Sequence, residues 1–176
     1  PLTVMQLASE MGRLYDIEKL TFFRACECYE ELEAAGKLDA DALIFVNSIA
    51  SVSLSNEDWA SYCEAHSAIL PKLVVEITEE EEMNERELER KRNVPGSTGV
   101  FALDDYGSGY SNGNSLLTIA PKYVKVDIAI IRGIDTDADK QQFLMTLIDY
   151  AHPRGVQVLA EGVETLSELR KVLEMG

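Results

Sequence analysis

Five short apolar runs, each ending on a side chain able to bind a cation or move a proton, constrain this chain more than any other feature. Residues 43–46 lead into Asn47, 73–75 into Glu76, 100–103 into Asp104 and Asp105, 123–126 into Asp127, and 156–160 into Glu161. Apolar runs alternating with segments of helical pattern predict parallel strands in an α/β fold. The carboxyl ends of such strands carry the site in a barrel of this kind, so the polar tips are where chemistry is expected.

The segments between the runs read as helices. Residues 1 to about 36 are helical in pattern, with Val4, Leu7, Met11 and Leu14 spaced for one apolar stripe and Gly36 as a stop. Residues 56–68 form a helix opened by Asn56 as cap, and 79–92 a charged helix whose acidic start suits the macrodipole. Residues 116–119, 139–152 and 166–175 complete the set, with Phe143, Leu144, Leu147 and Ile148 on one face of the longest. Strands are expected at 43–46, 73–78, 100–104, 123–127 and 156–161.

That pattern contains no linker, so residues 1–176 read as a single domain. A closed eight-stranded barrel needs about 250 residues, which makes this chain an interior portion of one. An open doubly wound sheet is the alternative, but no strand is followed by a Gly-x-Gly-x-x-Gly or Walker-type phosphate loop. With 46% hydrophobic residues, no run approaching about 18 uninterrupted apolar positions and no signal-like N-terminus, a soluble cytoplasmic segment without membrane insertion is expected. Cys26, Cys28 and Cys63 lack zinc spacing and read as reduced structural thiols. The formal charge of −15 disfavours long nucleic acid and anionic membrane as partners, and a phosphate substrate would need cations recruited locally.

Asp104 and Asp105 face opposite ways on a regular strand, so both reach one site only if the chain leaves the strand there, and Gly107 and Gly109 supply freedom for that bend. Paired carboxylates suit Mg2+ or Mn2+, and one can bridge two ions. Asn47 and Glu76 add hard oxygen donors at the ends of two further strands. Lys125 and Asp127 share a face two residues apart, where the lysine needs carboxylate or phosphate company. Glu161 is placed to take a proton from water, and Glu164 to orient the following loop or cap the last helix. His66 and His152 lie on helices and read as structural.

The matching pieces Phe45-Val46-Asn47-Ser48, Val75-Glu76-Ile77-Thr78-Glu79, Ala102-Leu103-Asp104-Asp105-Tyr106-Gly107-Ser108-Gly109-Tyr110-Ser111, Val124-Lys125-Val126-Asp127 and Ala160-Glu161-Gly162-Val163-Glu164-Thr165 give a close likeness in their order. With them the chain resembles the EAL family of cyclic di-GMP phosphodiesterases. The resemblance implies a (β/α)8 TIM-like barrel of the EAL type, incomplete here because the first strand, with its Glu-Ala-Leu signature, and the C-terminal strands lie outside these residues. It implies two ions per site, Mg2+ or Mn2+. Asn47, Glu76 and Asp104 would hold one of them, and Asp104 with Asp105 the other. Lys125 and Glu161 would position and deprotonate the attacking water, with Asp127 in support.

The resemblance further implies that Glu79 steadies the 104–111 loop. It implies cyclic di-GMP as substrate, a homodimer formed near the helix after Ser111, and a sensory or GGDEF-type domain in a parent chain of which this segment is a cytosolic part, in the family's membrane-anchored members as in its soluble ones. The second reading is a receptor that binds the dinucleotide, or a protein partner, without cleaving it.

Overall fold

The computed structural model describes residues 2–79, 84–108 and 114–176. Its chain divides into two compact units, Pro1–Ile77 with Glu81–Val100, and Thr78–Glu80 with Phe101–Gly176.

The first unit opens with α1 (Leu2–Glu10) and α2 (Leu14–Ala34), followed by β1 (Ile44–Asn47), α3 (Asn56–Ala65), β2 (Leu73–Thr78, whose last residue belongs to the second unit) and α4 (Glu85–Arg92). Strand β2 is buried almost throughout, as a parallel strand covered on both faces must be. The core-facing stripe of α2 is Glu18, Phe22, Cys26 and Tyr29, spaced by three or four residues. Phe22 meets Trp59 and Tyr62 of α3 edge to face at 5.3 and 5.7 Å, and the buried Cys26 thiol lies 2.9 Å from the Tyr62 hydroxyl. Each fully buried side chain of this size contributes about 1.5–3 kcal/mol. Cys28, two residues on, is exposed, and all three thiols are free.

Several expected boundaries move, each for a local reason. Ser55 caps α3 instead of Asn56, because its hydroxyl accepts the Asp58 N–H at 3.0 Å. The charged helix begins at Glu85, because the Asn84 side chain accepts the Arg86 N–H at 3.1 Å and caps it there; residues 80–83 of the expected span lie outside the described residues. The expected stripe faces outward: Val4 and Leu7 of α1, and Met11 in the turn after it, are 58%, 52% and 67% exposed. Periodicity selects the side chains that share a face and does not supply a neighbour to cover them.

The second unit runs β3 (Val100–Tyr106), α5 (Asn114–Ile119), β4 (Tyr123–Val126), α6 (Ile128–Ile131), α7 (Ala138–Ala151), β5 (Gln157–Ala160) and α8 (Leu166–Met175). Strand β4 pairs in parallel with β3 on one side and β5 on the other. Helix α6 escapes sequence reading because it is a single turn, held by the Asp127 carboxylate accepting the Ala129 N–H at 2.7 Å. Strand β5 is largely exposed although its run is apolar. No helix among the described residues is long and apolar enough to cross a membrane.

Candidate functional site at the strand tips

In the first unit β1 and β2 pair in parallel with Asn47 opposite Glu76. Partners in such a register point to the same face of the sheet on strands about 4.8 Å apart, so the two polar tips stand side by side. Asn47 is exposed and Glu76 buried. The turn beyond them is fastened from two directions. The Ser48 N–H donates to the Glu76 carbonyl at 2.9 Å, and the Glu18 carboxylate accepts the Ser48 hydroxyl at 2.6 Å and the Ile49 N–H at 2.8 Å. Lys91 Nζ lies 2.7 Å from Glu18 Oε1 and donates to the Ile49 carbonyl at 2.6 Å and to the Ser48 hydroxyl.

Sequence reading passed over this buried pair, although its signal is present. Glu18 stands in phase with Phe22, Cys26 and Tyr29 on α2, and Lys91 three residues after buried Leu88 on α4. A charge at a core position of an otherwise apolar stripe marks a partner across the interior.

The second unit gathers charge by a different device. Between Leu103 and Tyr106, β3 advances three residues while β4 advances two, from Val124 to Val126, so the Asp pair forms a β-bulge. Asp105 itself takes the left-handed conformation, with φ of 55°, and its N–H donates to the Asp104 carboxylate at 3.0 Å. The expected exit from the strand is thus a bulge within a strand that continues to Tyr106. Gly107 follows at φ 95°, in a cradle where a Cβ would lie 2.9 Å from Ile130.

The bulge brings one carboxylate oxygen each of Asp104, Asp105 and Glu161 within 4.8 Å of one another. Lys125 Nζ bridges two of them, 2.9 Å from Asp104 Oδ1 and 2.8 Å from Glu161 Oε1. Burial pushes the Asp105 carboxyl above the usual aspartate range, with the negative charges of Asp104, Asp127 and Glu161 adding to it and Lys125 opposing. Three carboxylates against one ammonium leave an excess of negative charge among hard oxygen donors. That donor set fits a divalent cation of the Mg2+ or Mn2+ type.

The remaining residues take these places. Glu79 is buried and its Oε2 accepts the Gly107 N–H at 3.0 Å. Asp127 spends its carboxylate on capping α6. Glu164 pairs with Arg132 and does not cap α8; that role belongs to Thr165, in a capping box with Glu168. Glu168, also unnoticed in the sequence, accepts N–H groups from Gly133, Glu164 and Thr165, which hold its carboxyl down to about 2. Gly109 lies outside the described residues. His66 is buried against Glu30 at 3.0 Å, consistent with a structural role.

Strands in parallel pairs with acidic tips gathered at a bulge define a parallel α/β protein with a cluster of carboxylates at the strand tips. The EAL domain family matches residues 1–176, and the chain belongs to that family. Among relatives, the protein named "Probable cyclic di-GMP phosphodiesterase PdeG" of Escherichia coli K12 is 34% identical over 99 residues, covering 55% of this chain and 20% of that protein. The chain therefore spans a fifth of that relative's length.

Among solved structures, the PaMucR phosphodiesterase in complex with c-di-GMP aligns with a TM-score of 0.80 at 22% identity, covering 100% of this chain and 72% of that one. The Klebsiella pneumoniae BlrP1 manganese/cy-diGMP complex aligns at 0.77 and 22% identity, covering 92% and 42%. At that identity the likeness establishes a shared fold, that of the EAL barrel-type domains.

Proposed function

We propose that this chain is the catalytic portion of a cyclic di-GMP phosphodiesterase, which opens one phosphodiester bond of the cyclic dinucleotide to give the linear product. The observation that carries the reading is the Asp104, Asp105 and Glu161 cluster bridged by Lys125, in a chain of the EAL family. Membership of that family and the names of its relatives support the substrate.

In this reading Asn47, Glu76, Asp104 and Asp105 are metal ligands, two ions being bound per site as Mg2+ or Mn2+. Such ions polarise the phosphate and lower the pKa of bound water. Glu161 accepts the proton of the attacking water. Lys125, held between Asp104 and Glu161, orients that carboxylate and offers positive charge to the phosphate as negative charge builds on it. Glu79, through Gly107, holds the residues after the Asp pair in place. The excess of acidic groups at the tips explains how a chain of charge −15 receives an anionic substrate: cations bound there reverse the local field.

The reading extends to a homodimer working in the cytoplasm, with a sensory or GGDEF-type domain elsewhere in the parent protein. The full-length protein supplied with Mg2+ or Mn2+ is expected to linearise cyclic di-GMP, and Asp104→Ala or Glu76→Ala to abolish turnover. Tight binding of the dinucleotide without hydrolysis under either ion, or undiminished turnover in either variant, would overturn it.

A further inference from the structure

The interior of the first unit holds a charged pair that the proposed chemistry does not use. Lys91 and Glu18 have side-chain exposures of 0% and 1%, and both engage Ser48 and Ile49, the two residues that follow Asn47. We infer that this buried pair is a positioning device: it sets the backbone turn after β1 and thereby the direction in which the Asn47 side chain is offered to a divalent cation. The inference rests on the reading of Asn47 as a metal ligand.

The argument runs from cost to purpose. Withdrawing a carboxylate and an ammonium from water is expensive, and a pair of apolar side chains of similar volume often stabilises a fold as well or better. What an apolar pair cannot do is hold particular backbone atoms. Glu18 takes the Ile49 N–H, Lys91 takes the Ile49 carbonyl, and the Ser48 hydroxyl lies between the two charges. The Ser48 N–H is in turn fixed to the Glu76 carbonyl, so the pair also registers the tip of β1 against the tip of β2. Both partners come from helices distant in sequence, α2 and α4, which makes the turn depend on the packing of this unit and not on local preference. Supporting groups of this kind tune affinity through the ligands they hold.

The test is a coupling measurement on the full-length protein, with Mn2+ alone as probe. Calorimetric titration is made for wild type, Asn47→Ala, the Glu18→Met/Lys91→Met double variant, and the triple combination, alongside a thermal melt of each. The double variant is expected to melt near wild type yet bind Mn2+ about 10–100-fold more weakly. In the Asn47→Ala background the same two changes should produce no further weakening, because the ligand they position is gone. A purely structural pair would shift melting without this coupling.

Ser48→Ala, which removes only the hydroxyl between the pair and the tip, replaces the double variant in the cycle if the latter does not fold. Weakening that is equal in both backgrounds, or absent in the wild-type background, overturns the inference while leaving the phosphodiesterase reading intact. Failure of the wild-type protein to bind Mn2+, and Mg2+ in a repeat titration, overturns both.

Discussion

The two units reach polar strand tips by opposite means. In the first, regular parallel strands present one side chain each, Asn47 and Glu76 in register, and the irregular backbone beyond them is anchored from the interior by a nearly neutral set, Lys91 with Glu18. In the second, the strand itself is deformed, so that consecutive aspartates serve one cluster with Glu161, and a single lysine offsets only part of the charge. The contrast teaches that register places ligands one per strand, whereas a bulge concentrates them. Burying carboxylates together has a cost in the metal-free protein: burial first, and the neighbouring negative charges after it, raise the Asp105 carboxyl.

If that contrast is right, variants in the two units should differ in size and in sign. The largest effect is expected from Asp104→Ala, which removes a carboxylate from the charge-rich cluster. Loss of several kcal/mol of charge stabilisation corresponds to at least about 1,000-fold in kcat/KM, measured by the rate of linear dinucleotide release. Asn47→Ala removes a neutral donor and should cost less than Asp104→Ala in Mn2+ affinity, a ranking that calorimetry can reverse.

Glu161→Gln keeps the shape but not the base. It should lower kcat by about 100-fold or more; an unchanged kcat would assign the base elsewhere.

Asp105→Asn should act in the other direction on stability. The raised carboxyl means that the folded state holds the proton more tightly than the unfolded one, so the metal-free protein loses stability as pH rises from about 3.8 through the raised value and carries that cost at neutral pH. Asparagine tolerates the left-handed φ of 55° and carries no charge. A metal-free melt at pH 7 should therefore rise by a few degrees, with loss of catalysis, and a fall in melting temperature would break the account.

The smallest effect concerns Glu168. Its carboxyl is held down to about 2 against an ordinary 4.5, so its contribution is present above pH 4.5 and fades as pH falls toward 2. The melting difference between wild type and Glu168→Gln should narrow over that window.

Much of this was legible residue by residue. The expected strand 73–78 and helix 166–175 coincide with β2 and α8, because an uninterrupted apolar run and a clean 3.6-residue period leave little choice. The polar tips were legible for the same reason, being the first hydrophilic side chains after each run. Helix starts were less so: Ser55 and Asn84 compete with equally plausible neighbours, and hydrogen bonds to the flanking backbone decide between them. Glu164 and Thr165 are adjacent candidates for one cap, and the choice went to the side chain with a reciprocal partner, Glu168, three residues on.

From sequence alone followed the family, the order of strands and helices, and the chemical character of the tips, since these depend on residue type and spacing along the chain. Only the tertiary structure decided that Asp105 turns left-handed in a bulge, that Lys125 spans Asp104 and Glu161, and that Lys91 and Glu18 meet behind Ser48. These arrangements join residues from separate elements. Their geometry is set by how strands and helices pack, which no local pattern of apolar and polar residues encodes.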